Sequence, residues 1–281
     1  MIISRTIAQV REQVARWKSE GMTVGLVPTM GFLHEGHESL MQAASKENDK
    51  VVVSIFVNPT QFAPGEDLER YPRDFAHDEQ VCRDNGVAMI FHPEVDEVYP
   101  TPFYTSVQVE ALSKGLCGLS RPTHFAGVCT VVSKLFNIVQ PDRAYFGQKD
   151  AQQLAIIRKM AQDLNFPVSV LGCPIVREKD GLAKSSRNAY LTAEERKAAV
   201  ILSQTLGEAQ ERLLAGERSG EALETFIKER LAAEPLARVD YIAAVDAETL
   251  HPLALLQGTV LVALAVFFGK TRLIDNIVVK L

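Results

Sequence analysis

Two histidines separated by two residues lie in the segment 28–37, PTMGFLHEGH, which follows an apolar run and opens into a predicted helix. The first turn of a helix has unpaired N–H groups and the positive end of the helix dipole, so it favours phosphate. Gly36 lets a ligand approach the backbone, and His34 and His37 add donors. The loop has neither the GxGxxG nor the GxxxxGK[ST] pattern, which excludes a dinucleotide fingerprint and a P-loop. We therefore predict another kind of nucleotide-phosphate site; two solvated loop histidines are the alternative.

A second cluster, FGQKD at 146–150, lies between a predicted strand and a predicted helix. Lys149 is a compact positive charge that suits phosphate oxygens, and Asp150 suits a helix N-terminus. Taken alone, the segment is equally consistent with a capped helix that bears a surface lysine.

A third cluster, KDGLAKSSRN at 179–188, combines a flexible glycine with hydroxyls and cations. Arginine offers forked donors and serine hydroxyls adapt to their partners, so Ser185, Ser186 and Arg187 are suited to closing over a triphosphate. We predict a mobile lid at 180–188; the alternative is an ordinary polar linker.

Strands and helices alternate along residues 1–177. Buried strands are predicted at 24–27, 51–57, 89–91, 144–146 and 168–171, and helices at 38–48, 74–85, 127–139 and 150–164. This alternation predicts an α/β fold, a Rossmann-like doubly wound parallel sheet that binds ligands beyond the carboxyl ends of its strands.

The pattern changes near Arg177. Helices are predicted at 193–214 and 220–231, followed by strands at 239–244, 260–267 and 273–279. Residues 178–281 are therefore predicted to form a smaller C-terminal α+β domain.

Charge and composition narrow the function to small-molecule chemistry. The net charge is −5 and the sequence has no Lys/Arg run, which argues against a nucleic-acid partner. The four cysteines form no CxxC pair and have no zinc-type spacing, so reduced thiols are expected. The N-terminus has no signal-peptide pattern, and the most apolar segment, 259–268, is too short to cross a bilayer. We expect a cytoplasmic protein with no membrane partner.

Taken together, the three clusters resemble a known arrangement. The HxGH loop resembles the HIGH signature of class I aminoacyl-tRNA synthetases and related nucleotidyltransferases, and 179–188 resembles the KMSKS loop that accompanies it. Over nearly the whole chain, the segments PTMGFLHEGH, SIFVNPTQF, RPTHFAGVCTVVSKLFNIVQPD, FGQKDAQQL, DGLAKSSRNAYL and TRLIDN resemble, in order, the pattern of the pantothenate synthetase family. The resemblance implies an ATP-dependent ligase that condenses pantoate with β-alanine through a pantoyl-adenylate, releasing AMP and pyrophosphate.

The resemblance also implies roles for individual residues. His37 would donate a proton to the departing pyrophosphate, His34 would contact phosphate, and Gln61 and Gln153 would bind pantoate. The remaining catalytic candidates are Lys149, Ser185, Ser186 and Arg187. The ATP site would be lined by Met30, Gly31, Phe32, Leu33, His34, Glu35, Gly36, His37, Gly147, Gln148, Lys149, Asp150, Val176, Lys184, Ser185, Ser186 and Arg187. Arg121 and His124 would help to shape the site. Residues 1–177 would form the domain that binds ATP and pantoate, and residues 178–281 would form the lid domain.

Two positions depart from the family pattern: Gln148 stands where Glu is expected, and Lys184 stands where Met or Leu is usual. The resemblance implies Mg²⁺ on the ATP phosphates and a homodimer, and the sequence identifies no protein ligand for the metal. Two other functions stay open. One is an HxGH nucleotidyltransferase acting on a phosphate acceptor, and the other is an inactive nucleotide-binding or interaction protein on the same fold.

Overall fold

The computed structural model describes residues 1–281, which divide into two compact units. Unit 1 comprises Met1–Lys114, Gly118–Gln148 and Ile156–Pro174. Unit 2 comprises Gly115–Cys117, Lys149–Ala155 and Ile175–Leu281. Along the chain, the final passage from unit 1 to unit 2, after Pro174, lies close to the predicted boundary near Arg177. Unit 2 also includes two short earlier segments that no sequence pattern marks. The functional roles given to the domains 1–177 and 178–281 stay predictions.

Unit 1 is built on a six-stranded parallel sheet of order β1-β4-β3-β2-β5-β6. Its strands are β1 (Ile2–Ser4), β2 (Val24–Thr29), β3 (Lys50–Ile55), β4 (Met89–Phe91), β5 (Arg143–Gly147) and β6 (Ser169–Cys173). Strands β3 and β4 extend from β2 in one direction, and β5 and β6 extend in the other. The order therefore reverses between β2 and β5, which is the kind of point at which open α/β sheets bind ligands.

Seven α-helices accompany these strands along the chain. They are α1 (Ile7–Ser19), α2 (Glu35–Glu47), α3 (Phe75–Asp84), α4 (Val95–Val98), α5 (Cys117–Ser120), α6 (His124–Val139) and α7 (Ala151–Asp163). Helices α1 and α6 contact each other and β2, whereas α2 contacts β2, β3, β5 and β6. The predicted Rossmann-like parallel sheet is confirmed. Strand β1 and helix α1 were not predicted; α1 buries Val10, Val14 and Trp17 on one face.

The core beneath α2 covers one face of the parallel sheet. Val27, Val51 and Val53 pack with Leu40 and Met41 of α2 in one cluster, and all five are at most 6% exposed. A parallel strand covered on both faces is buried throughout, which gives a continuous apolar run rather than an alternating one.

Unit 2 contains a three-stranded antiparallel sheet, β7 (Ala237–Asp246), β8 (Thr259–Phe268) and β9 (Thr271–Lys280), in that order. Its helices are α8 (Ala193–Ala198), α9 (Ile201–Leu214) and α10 (Gly220–Ala232). The single helix predicted over 193–214 is wrong. The N–H groups of Val200 and Leu202 bond to the carbonyls three residues earlier, and this tighter pattern interrupts the α-helical ladder. No helix in the structure combines the length and the apolar character that a membrane span requires.

Candidate active site

The loop that follows β2 makes a sharp reversal into α2. Gly31 and Phe32 both have positive φ, 82° and 52°, a conformation that favours glycine at the first of them. Asp78 of α3 supports the turn: its two carboxylate oxygens accept hydrogen bonds from the backbone N–H groups of Phe32 (2.9 Å) and Leu33 (2.7 Å). A Cβ on Gly31 would lie 2.8 Å from an Asp78 oxygen, so a side chain here would displace the carboxylate that supports the turn.

Burial is the largest influence on the Asp78 carboxyl, and it raises the pKa of that group despite the two backbone hydrogen bonds, which act in the opposite direction. The residue is 1% exposed. Asp78 is therefore part of the support of the HxGH loop, although no sequence pattern marks it.

The two histidines close the first turn of α2. His34 is the N-cap residue, and its Nδ1 atom accepts a hydrogen bond from the Gly36 N–H at 3.1 Å. His37 Nδ1 accepts from the backbone N–H of His34 at 3.3 Å, and the two ring centroids are 4.1 Å apart. A neutral imidazole that accepts through Nδ1 carries its proton on Nε2. Both rings therefore carry their proton on Nε2, at the positive end of a helix.

Gln61 lies after β3 and faces the same loop. It is 9% exposed and ends a short 3₁₀ turn, Pro59–Gln61, whose N-cap residue is Asn58. The Asn58 amide donates to Gln61 Oε1 at 3.1 Å, while Gln61 Nε2 donates to the Met30 sulfur at 3.0 Å. A thioether is a weak acceptor. A ligand oxygen would therefore be a better partner for this amide than Met30 is.

The backbone of Gln61 has its own support. The Gln61 carbonyl accepts from His124 Nδ1 at 2.9 Å and from Arg121 at 3.2 Å. Because a carbonyl only accepts, His124 carries its proton on Nδ1, and its Nε2 accepts from Arg121 at 3.2 Å. Arg121 also makes a two-pronged ion pair with Glu66 at 2.7 and 2.6 Å. Burial works to raise the pKa of Glu66, but the hydrogen bond and charge of Arg121 outweigh it, so the pKa lies below its ordinary value.

Helix α6 approaches this turn closely at Gly127. The Asn58 amide also donates to the Gly127 carbonyl at 3.1 Å, and a Cβ on Gly127 would overlap the backbone of Thr60. Gly127 thus permits the contact that places Gln61.

Strand β5 pairs with β2 in parallel, so Gly147 and Gln148 leave the sheet at the same edge as the HxGH loop. A Cβ on Gly147 would meet no atom within 4 Å, so glycine is not required there by the surrounding structure.

The remaining predicted residues belong to unit 2. Lys149 and Asp150 complete a 3₁₀ turn, Gln148–Asp150, immediately before α7, and the Lys149 carbonyl accepts from Asn276 of β9 at 2.9 Å. Gln153 is partly exposed on the first turn of α7.

The segment 176–184 is a hairpin. Lys184 N–H donates to the Val176 carbonyl at 2.9 Å, and Arg177 pairs with Ala183 in an antiparallel bridge. Lys184, which departs from the family pattern, lies 3.3 Å from Glu178 across the hairpin. Lys184 therefore forms an ion pair within the hairpin.

Ser185, Ser186 and Arg187 follow the hairpin. Ser185 caps the 3₁₀ turn Ser186–Tyr190 by accepting from the Arg187 N–H at 3.2 Å. Leu182 is 2% exposed in the unit 2 core, and Asp180 forms a two-pronged pair with Arg196 at 2.8 and 3.1 Å. The segment 180–188 is thus attached to unit 2 at several points, and its mobility stays a prediction.

No group of three or more His, Cys, Asp or Glu side chains is arranged to hold a metal ion. The four cysteines are all reduced and buried, as expected.

Comparison with known proteins identifies the family. The sequence model described as pantoate-beta-alanine ligase matches residues 2–278. The chain belongs to the pantoate–β-alanine ligase family. It is 57% identical over 281 residues to a pantothenate synthetase from Enterococcus faecalis, with 100% of both chains covered.

Solved structures of this family have the same fold. A pantothenate synthetase from Thermus thermophilus superposes with a TM-score of 0.94 at 47% identity, covering 99% of each chain. A pantoate-beta-alanine ligase from Francisella tularensis, in complex with beta-gamma ATP and β-alanine, has a TM-score of 0.79 at 33% identity and covers 99% of this chain and 97% of its own. The chain is therefore an enzyme of the ligase class, and the nucleotidyltransferase alternative is not supported.

The roles assigned to individual residues stay predictions. Within unit 1 the structure brings together Met30 and Gln61, and His34 and His37. Within unit 2 it brings together Val176 and Lys184. The sequence patterns assign no individual role to the supporting residues Asp78, Asn58 and Asn276, because only the fold discloses that these polar side chains are buried.

Proposed function

We propose that the chain forms pantothenate in two steps and that the HxGH loop carries out the first. In that step the pantoate carboxylate attacks the α-phosphorus of ATP, the bond to the β-phosphate oxygen breaks, and pyrophosphate leaves. In the second step the amine of β-alanine attacks the acyl carbon of the pantoyl-adenylate, loses a proton and displaces AMP. The observation that supports this assignment best is that the Nδ1 atoms of His34 and His37 both accept backbone N–H groups at the start of α2, which assigns the ring protons to Nε2.

The loop can stabilise a leaving pyrophosphate because its donors are already oriented. Each Nδ1 atom is engaged by the backbone, so neither ring must reorganise when negative charge develops on the phosphate oxygens. We assign proton donation to His37 and phosphate contact to His34. Met30, Gly31, Phe32, Leu33, Glu35 and Gly36 complete this part of the proposed ATP site.

Pantoate recognition is assigned to Gln61 and Gln153. An amide offers both a donor and an acceptor, which suits a ligand with hydroxyls and a carboxylate. For Gln61 the support is its buried position and its weak present acceptor, Met30.

The triphosphate is assigned to Lys149, Ser185, Ser186 and Arg187, with Lys184 beside them, and the rest of the nucleotide to Gly147, Gln148, Asp150 and Val176. The domain 178–281 is proposed to act as the lid. A closed lid would exclude water from the pantoyl-adenylate, which is an easily hydrolysed mixed anhydride. Mg²⁺ would enter on the ATP phosphates, because this cation is commonly bound through substrate phosphates and few protein groups. A homodimer belongs to the same proposal and rests on the family resemblance, and the cytoplasmic location stays an expectation.

The test is an assay of AMP formation in which ATP, pantoate and β-alanine are omitted in turn. AMP should form at full rate only when all three are present, and pyrophosphate should exchange into ATP with pantoate alone. AMP or CMP transfer to a phosphate acceptor without pantoate would support a nucleotidyltransferase instead. Light scattering of the purified protein tests the homodimer.

A further inference from the structure

Strand β9 contains two adjacent buried polar residues. Asp275 is 2% exposed and Asn276 is 3% exposed, although both lie within a ten-residue strand. Consecutive residues of a strand point to opposite faces of the sheet. Burial of polar groups costs free energy unless they are hydrogen-bonded, so the partners of this pair explain why the strand tolerates it.

On one face, Asn276 binds the segment that contains Lys149. Its Nδ2 atom donates to the Lys149 carbonyl oxygen at 2.9 Å. That carbonyl belongs to the peptide group between Lys149 and Asp150, at the end of the 3₁₀ turn that precedes α7. Fixing this peptide fixes the backbone from which the Lys149 side chain extends.

On the other face, Asp275 binds the hairpin that precedes Ser185, Ser186 and Arg187. Its carboxylate accepts from both terminal nitrogens of Arg177, at 2.7 and 3.0 Å. Arg177 also donates to the Gly181 carbonyl at 3.1 Å, so the same guanidinium supports the turn of the hairpin. A planar, two-pronged pair fixes orientation as well as distance.

The contacts of Asn276 and Asp275 are linked through the strand. The backbone N–H of Asn276 donates to Asp275 Oδ1 at 2.8 Å. We propose that Asp275 and Asn276 are positioning residues for adenylation. Together they hold the Lys149 backbone and the hairpin that leads to Arg187 at fixed positions relative to β9. The proposal rests on the function proposed above, in which Lys149 and Arg187 contact the triphosphate.

Loss of these contacts should slow the reaction, because catalysis is sensitive to the position of the catalytic groups. A misplacement of about 1 Å can cost on the order of a hundredfold in rate. We expect Asn276→Ala to reduce kcat for pantoate-dependent pyrophosphate exchange by roughly ten- to a hundredfold, and to raise the KM for ATP by a smaller factor.

The decisive experiment repeats the substitution in a Lys149→Ala background. If Asn276 acts through Lys149, Asn276→Ala should produce little further loss once the Lys149 side chain is absent, because the two residues then act as a unit. An equal loss in both backgrounds would show a general structural effect and overturn the proposal, as would full activity of the single variant. Asn276→Asp, which keeps the side-chain volume and places an acceptor near the Lys149 carbonyl, is measured in parallel in case the alanine variant fails to fold.

A matched control removes a buried polar group elsewhere in unit 2. Thr205 of α9 is fully buried and its hydroxyl makes no hydrogen bond, so Thr205→Val should leave the exchange rate unchanged. Wild-type protein without pantoate-dependent exchange would refute the proposed function, whereas active wild type with an additive Asn276 effect would refute only this inference.

The ion pair of Asp275 with Arg177 is tested in the same way. Asp275→Asn keeps the volume but removes the charge that binds Arg177, and it should reduce exchange in the wild-type background but not in an Arg187→Ala background. Equal reductions in both would exclude positioning through the hairpin.

Discussion

The backbone N–H of Leu33 donates a 2.7 Å hydrogen bond to Asp78, a residue that is 1% exposed. This bond connects the HxGH loop to α3, and its two partners are 45 residues apart in the chain. The loop is therefore supported from outside as well as by its own caps.

Asp78→Asn should reduce both the stability of the protein and the rate of pyrophosphate exchange. An amide has one acceptor oxygen, so one of the two loop N–H groups would face an NH₂ donor. We expect the free energy of unfolding to fall by about 1–3 kcal/mol, the usual effect of leaving a buried donor unsatisfied. Urea titration and pyrophosphate exchange measure the two effects, with Asp84→Asn on the exposed end of the same helix as the control. A variant as stable and as active as the control would show that the loop does not depend on this carboxylate.

The same residue predicts a pH dependence. Burial raises the pKa of Asp78 above its ordinary value of 3.8. A carboxyl whose pKa is higher in the folded state contributes stability that is fully present below the unfolded pKa and is lost as the pH rises through the folded pKa. The free energy of unfolding of the wild type, minus that of Asp78→Asn, should therefore decrease as the pH rises above 3.8. A difference that increases over this interval would contradict the assignment.

His34→Asn separates the structural role of His34 from its chemical one. Asparagine is a good N-cap residue, so its side-chain oxygen should still accept from the first turn of α2 and keep the helix stable. The Nε2–H donor is lost, and removal of one preorganised donor typically costs roughly 10²–10³ in rate. We expect an unchanged thermal midpoint with strongly reduced pyrophosphate exchange; near wild-type exchange would remove His34 from the mechanism.

Gly127→Ala tests the placement of Gln61 while the Gln61 side chain itself stays unchanged. The added Cβ would overlap the backbone of Thr60 and displace the 3₁₀ turn that ends at Gln61. We expect weaker pantoate binding, while ATP binding is retained. Calorimetric titration with pantoate measures this, alongside Gln61→Ala. Gly207→Ala serves as the control, since a Cβ there meets no atom within 4 Å. Unchanged pantoate affinity in both site variants would exclude Gln61 from recognition.

The fold was largely predictable because its parallel strands are covered on both faces. Val51, Val52 and Val53 are all at most 2% exposed, and such a run stands out in the sequence. Strand β1 does not stand out in the sequence, because it has only three residues and lies at the edge of the sheet. The break after α8 was also missed, because the residues at 198–200, Ala-Ala-Val, contain no glycine or proline to mark it.

Candidate site residues could be proposed from the sequence only where they lie in loops with a recognisable spacing, as His34 and His37 do. Asp78 and Asn276 are polar residues within a helix and a strand, and their partners are 45 and 127 residues away in the chain. No local pattern indicates such a contact. Local composition also could not disclose that Asp180, in the segment 180–188, pairs with Arg196.

Arg187→Ala tests whether the segment after the hairpin shields the pantoyl-adenylate. The variant should form the adenylate more slowly, because the proposed donor to the triphosphate is lost. If the segment also excludes water, the adenylate that does form should hydrolyse to pantoate and AMP without β-alanine. The measurement is AMP release with β-alanine omitted, combined with hydrogen exchange of residues 180–188 with and without ATP and pantoate. Arg196→Ala is the matched variant, since it removes the partner of Asp180 and should raise exchange at the turn. Slower adenylation without leakage, together with equal hydrogen exchange in both states, would show that Arg187 is a static phosphate contact on a fixed hairpin.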